Sequence, residues 1–178
     1  VTGVQTCALP ICWREYVVGN ELKAFLERTL DRDDRILSRD KAAFAQHDRA
    51  RGLPWLPTLA VINRREGVAI DGAAVIEDEP QLWSALEKLR RGGDLVAKPS
   101  CGERGKGFFC VSREWVVRDE TGTAIDRRVF ARTVLTYTHR LGNFGYLVQS
   151  ALASHPEMVE LTGIHTVSSV RIEIGRAH

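Results

Sequence analysis

"LVAKPSCGERGKGFF", residues 95–109, joins an apolar run to a lysine, a proline and three glycines within fifteen positions. "DLVAKP" (94–99) is predicted as a strand that Pro99 stops, because proline has no N–H to offer a further ladder bond. "GFFCVS" (107–112) reads as its hairpin partner, with the glycines in the loop between. Gly102, Gly105 and Gly107 are interleaved with Arg104 and Lys106, and Lys98 precedes them on the strand. Glycine lets backbone N–H groups come close to an anion, and lysine brings a compact positive charge. The loop is therefore expected to lie over a nucleotide phosphate. It matches neither the G-x-x-x-x-G-K-S/T phosphate loop nor a G-x-G-x-x-G turn that opens a helix, since an apolar strand follows it. The competing reading is an ordinary glycine-rich hairpin with solvated charges.

Three other stretches bear on that choice. In "RDK" (39–41), Lys41 stands at a helix start, against the preference of the helix dipole, and a phosphate partner would explain it; a solvated lysine is the alternative. "YLVQSAL" (146–152) is a strand ending in a polar hinge that can offer backbone groups to an adenine edge, or a plain strand end. Arg171, between Val170 and Ile172, must find an anion or a cleft if its strand is buried; an edge-strand ion pair is the alternative.

The remaining pattern is mixed. Residues 13–31 carry a rough helical stripe at Val17, Leu22, Phe25, Leu26 and Leu30. A helix follows through "LSRDKAAFAQHDRARG", with Ser38 as its cap, Asp40 in its first turn and Gly52 at its end. "LPWLP" (53–57) is a proline-bounded connection and "TLAVIN" (58–63) a strand. "EPQLWSALEKLRRGG" (79–93) is a helix, with Pro80 at its start, Gly92 at its end and Leu82, Leu86 and Leu89 as its stripe. Residues 114–125 read as one strand and a turn at Thr121–Gly122. Residues 126–141 read as a helix with Phe130, Val134 and Tyr137 on one side. A strand at 144–152, a helical turn or two at 155–161 and a strand at 165–174, with Ser169 and Arg171 on one face, complete the order. Hairpins mixed with helices point to α+β rather than a regular doubly wound sheet.

Composition sets the outer bounds. Apolar residues make up 44% and charged residues 27%, an ordinary globular balance. A net charge of +2 gives no sign of a polyanion partner, so no nucleic acid is expected. No apolar run reaches the roughly 18–20 residues of a membrane span. The ends read differently from the rest. "VTGVQTCALPI" (1–11) matches the translation of a short-read sequencing adapter, and "EIGRAH" (173–178) matches its opposite strand. Residues 1–12 and 173–178 are therefore expected to be artefact, with encoded protein from about Trp13 to about Ile172 and both true termini outside. Cys101 and Cys110 are then the cysteines that count. Their spacing fits no metal pair, and so few point to a reducing, cytoplasmic compartment. His47, His139, His155 and His165 show no ligand spacing, although His155 follows the hinge and is a candidate ribose contact. Glu157 and Glu160 are expected to be solvated. Trp55, Trp83 and Trp115 are expected in the core.

"RDKAAF", "GLPWLPTLAVI", "DLVAKPSCGERGKGFF" and "YLVQSALASHPEMVELTGIHTVSSVRI", in this order across residues 37–172, resemble the ATP-grasp superfamily, and most closely its sugar-transfer-associated family. The resemblance implies an ATP-grasp fold: a helical lead-in over 13–57, an N-terminal subdomain over 58–147, and a hinge with the start of a C-terminal subdomain over 148–172. It implies that Lys41 and Lys98 reach nucleotide phosphates and that Ser100–Gly107, with Gly102, Arg104, Gly105, Lys106 and Gly107, form a mobile phosphate-covering loop. Gln149, Ser150 and Leu152 would form the adenine hinge, through the Ser150 carbonyl and the Leu152 N–H. Arg171 would face phosphate or an acyl intermediate. Ser169 replaces the usual threonine there, and "ERGKGF" departs mildly from the usual loop. The implied cofactors are ATP and Mg2+, with the Mg2+ ligands expected downstream of Arg171. The implied activity is an ATP-dependent ligase acting on an unidentified carboxylate through an acyl phosphate, in cell-surface polysaccharide or peptide modification. This chain itself is expected to bind nucleotide weakly and not to turn over, and to leave residues 145–172 as an exposed apolar face. The rivals are an ATP-grasp kinase and a non-enzymatic module that grips nucleotides or polyanions.

Overall fold

The structure, a computed structural model, describes residues 39–90, 93–102, 105–153 and 155–162, together with residues 24, 28, 31 and 37. Val17, Leu22, Phe25, Leu26, Leu30, Ser38, Gly92, Arg104, His165 and the 165–174 stretch with Ser169 and Arg171 lie outside the described residues.

Three aspartates start three helices. Asp40 caps α1 (Lys41–Ala50) by accepting the Ala42 N–H, so it is the cap of this helix rather than a residue of its first turn. Its short carboxylate sits one residue before the first helical position, where an oxygen can meet the open N–H groups. Asp78 caps α2 (Glu79–Leu89) by accepting from Gln81 N–H at 2.8 Å, and Pro80 stands in its first turn. Asp126 caps α3 (Arg127–Thr136) through Arg128 N–H at 2.7 Å. α3 ends five residues before the expected Leu141, because Tyr137 turns extended and donates its hydroxyl to the Cys101 carbonyl at 3.0 Å. A short helix, α4 (Pro156–Thr162), closes the described chain.

Seven strands form one mixed sheet: β1 (Ala60–Ile62), β2 (Ala74–Ile76), β3 (Leu95–Pro99), β4 (Phe109–Val111), β5 (Val117–Arg118), β6 (Ala124–Ile125) and β7 (Tyr146–Ser150). Their order is β2-β1-β7-β3-β4-β5-β6. Among the described residues only β1 and β2 pair in parallel, so the class is α+β. The β3–β4 hairpin forms as its residues suggest, with Ala97 opposite Phe109. The 114–125 stretch makes two short strands around the turn rather than one, and β2 was not anticipated. β7 lies between β1 and β3, and the expected boundary at 147/148 falls inside it.

Alternation along the strands separates two faces. On the inner face Ala60, Ile62, Leu95, Ala97, Phe109, Val111, Val117, Tyr146 and Val148 pack against Leu82 and Leu86 of α2 and Phe130, Ala131 and Val134 of α3. Phe109 meets Phe130 edge-on at 5.2 Å, and Tyr137 meets Tyr146 edge-on at 4.9 Å. Trp83 and Trp115 pack against this core as expected, but Trp55 does not. It is 39% exposed and touches Phe44 from outside. On the outer face Val61 and Leu147 are covered by Ala42 of α1. Gly145, at φ +66°, brings its backbone against Ile62 O and Arg64 N, where a Cβ would collide. Residues 145–149 are therefore buried and not an exposed face; exposure begins at Leu152. Central strands are covered on both sides, and β7 is one.

Candidate functional site

Where β3 leaves the sheet, its last residues meet the start of α1. Lys41 N–H donates to the Ser100 carbonyl at 3.0 Å, and Ser100 N–H donates to Gly145 O at 2.9 Å. The Ser100 hydroxyl donates to Asp40, which is fully buried. Arg64 closes the cluster. Its Nη2 lies 2.6 Å from Asp40 Oδ2, and its Nη1 donates to Asp40 Oδ1 at 3.2 Å and to Phe144 O at 3.1 Å. The two side chains are only 6% and 1% exposed. Burial works to raise the Asp40 pKa, but hydrogen bonds from Arg64 and Ser100 and the Arg64 charge outweigh it and leave the carboxyl below its ordinary range. Asp40 is therefore an anion at neutral pH, and Ser100 is held at the loop base.

The two lysines also meet here. The Lys41 ammonium donates to Gly102 O at 2.8 Å, Pro99 O at 3.3 Å and Ser100 O at 3.4 Å. Lys98 alternates onto the outer face, opposite Leu147, and is half-buried. Burial first, and then the charge of Lys41, push its pKa down. Arg39, Lys41 and Arg64 all act electrostatically on Cys101 next door. Among the described residues Asp40, Lys41, Arg64 and Arg39 thus surround Cys101 electrostatically, and Lys41 also acts on Lys98.

The tip of the loop is different in kind. Gly105 and Lys106 are exposed, and a turn is closed by Phe108 N–H to Gly105 O at 3.1 Å. Gly107, at φ +72°, sits so close to the ring of Pro99 and the hydroxyl of Tyr146 that a Cβ would stand 2.7 Å from that oxygen. Cys101 is 2% exposed, and burial, with Asp40 next, pushes its thiol up to about 11. It is an inert thiol in this setting.

The expected hinge lies along β7. Ser150 pairs with Leu95 and Leu147 with Lys98, so three strand residues, about 10 Å, separate the two ends of the candidate site. Gln149 is 1% exposed, and its side-chain amide donates to Leu56 O at 2.9 Å. Its side chain is thus committed inward. Ala151 N–H is taken by Asp94 O at 2.8 Å, and Leu152 is 58% exposed. The fold therefore brings Lys41, Lys98, Ser100 and Gly102 together. Gly105, Lys106 and Gly107 stand at the loop tip, and Gln149, Ser150 and Leu152 at the far end of the same strands. Arg104 and Arg171 lie outside the described residues.

Asp40 and Arg64 were not singled out from the sequence as site residues. Asp40 had a signal, since it precedes Lys41 in "RDK". Arg64 had none, because nothing in "NRRE" marks which arginine turns inward.

A cleft of about 520 Å3 lies apart from this cluster, between α1 and the 53–58 connection, lined among others by Ala42, Arg49, Trp55, Thr58 and Asp71. Its lining holds both a cation, Arg49, and a carboxylate, Asp71. Among the described residues no three His, Cys, Asp or Glu side chains gather into a metal site, and no helix is long and apolar enough to cross a membrane.

No protein-family model, no curated protein and no solved structure matches the chain.

Proposed function

We propose that this chain carries the nucleotide-binding part of an ATP-dependent ligase of the ATP-grasp type. The observation that supports it is the concentration of cations at the end of β3: Lys98, half-buried and pushed down in pKa, next to Lys41 and a glycine turn with Lys106 at its tip. A polyphosphate relieves such crowding, since an anion beside Lys98 favours its charged form. Lys98 then holds phosphate oxygens from the sheet side, and the Gly105–Gly107 turn approaches from the loop side. The end of β7, at Ser150–Leu152, offers backbone groups to the adenine edge about 10 Å away, within the span of one nucleotide.

In the proposed reaction a substrate carboxylate oxygen attacks the γ-phosphorus and ADP leaves with the bridging oxygen. An amine or similar nucleophile then displaces phosphate from the acyl phosphate, losing its proton as the new bond forms. Cations fixed before the reaction stabilise charge as it moves to the leaving group without reorganising. Mg2+, which the ATP-grasp reading implies, would screen the phosphate charge, but among the described residues no cluster of carboxylates would hold it, and no step is routed through it. Arg171 is proposed to face the acyl phosphate. The reaction belongs to the parent protein, in cell-surface polysaccharide or peptide modification, and the compartment is proposed to be the cytoplasm.

Competition tests the binding step. A fluorescent ATP analogue is bound to the chain and then challenged. ATP should displace it, whereas a short nucleic acid of equal charge should not. Displacement by both would turn the site into a general polyanion grip.

A further inference from the structure

Lys41 and Lys98 are neighbours with different commitments. The Lys41 ammonium has three N–H groups and faces three carbonyls, those of Pro99, Ser100 and Gly102. The same residue's backbone N–H also holds Ser100 O, and the preceding Asp40 accepts the Ser100 hydroxyl. Two consecutive residues at the start of α1 thus grip residues 99–102 through backbone and side chains at once. A lysine in the first turn works against the helix dipole. Here three carbonyls turn their negative ends to the ammonium. Among the described residues no hydrogen bond or ion pair engages the Lys98 ammonium, which lies on the outer face of the sheet.

We propose that Lys41 is a positioning residue: it holds the Pro99–Gly102 carbonyls and so fixes the loop base, while Lys98 is the lysine that meets the ligand's phosphate. The division of labour rests on the nucleotide reading for its Lys98 half and stands without it for the Lys41 half.

Cys101 is a built-in reporter. It is 2% exposed, between two of the residues whose carbonyls Lys41 holds, and Cys110 on β4 serves as a control for the rest of the sheet. The full chain, without nucleotide, is treated with N-ethylmaleimide and the rate at each cysteine is read by peptide mass. Lys41→Met should speed modification of Cys101 by about tenfold per thiolate, the thiolate fraction being read from each variant's own pH–rate profile because the Lys41 charge lowers the Cys101 pKa, and leave Cys110 unchanged. Lys41→Arg should return Cys101 to within about threefold of the parent rate, since it restores cationic donors. Lys98→Met should leave the Cys101 rate alone and lower the affinity for fluorescent ATP by about tenfold, the scale of one charged hydrogen bond. An unchanged Cys101 rate per thiolate in Lys41→Met overturns the positioning role. A parent chain that binds no fluorescent ATP sinks the nucleotide reading and the Lys98 half, and the cysteine rates still decide the Lys41 half.

Discussion

Along β3, Leu95, Ala97 and Pro99 are buried, while Val96 and Lys98, one residue out of phase, are half-exposed. The inner set faces an aromatic core made with α2 and α3. The outer set looks across to Cys110, half-exposed, and Arg118, exposed, so cover thins from β7 towards β6. The same five residues thus serve two purposes. The inner face is built by contact among apolar groups and tolerates little change. The outer face at Lys98 carries a half-buried cation whose pKa is pushed down by burial and then by the charge of Lys41. On the proposed function, stability and binding sit on opposite sides of one strand, and substitutions should separate them.

The largest effect should come from the inner face. Phe130→Ala removes a fully buried ring that touches Trp83 and Phe109. It should cost about 3–5 kcal/mol in a denaturant titration. A loss under about 1 kcal/mol would mean that this face is not the core.

Next is the buried pair between the faces and the loop. Arg64→Met leaves Asp40 buried without its partner and should cost about 3 kcal/mol, at the low end for a broken buried pair. The Asp40 carboxyl is held below its ordinary pKa, so its contribution is present above about pH 4 and lost as pH falls through the lowered value. Asp40→Asn should therefore be less stable at pH 7 and show a flatter acid limb. Equal acid limbs in parent and variant would remove Asp40 from the account.

The outer face should respond in the opposite sense. Lys98 has a lowered pKa, so its charged form opposes folding at neutral pH. Lys98→Met should raise Tm at pH 7, and the gap should close as pH rises and the parent lysine loses its proton. Scanning calorimetry across pH 7–10 checks this, and a fall in Tm would contradict it. The smallest effect belongs to the exposed edge: Arg118→Ala should change stability by less than about 0.5 kcal/mol in the same assay.

The inner face was largely legible in the sequence, for local reasons. "DLVAKP" and "GFFCVS" are short apolar runs punctuated by proline and glycine, and α2 carries Leu82 and Leu86 one turn apart after Pro80. What stayed hidden was set by distant partners. β2 is three residues long and owes its existence to pairing with β1. α3 stops where Tyr137 reaches Cys101, 36 residues away in sequence. The Asp40–Arg64 pair spans 24 positions, and neither residue announces the other. The lysines of the candidate site were legible as residue types, but not their unequal commitments, which depend on three carbonyls brought to Lys41 by the turn after Pro99.

The outer face can be tested directly at its lysines. The ε-carbon signals of Lys98, Lys106 and Lys88, the last exposed on α2, are followed by NMR as ATP is added to the full chain. Lys98 should shift most and saturate, Lys106 should follow with the same affinity, and Lys88 should stay still. Equal small drifts at all three, or none at Lys98, would contradict a phosphate site on the outer face of β3.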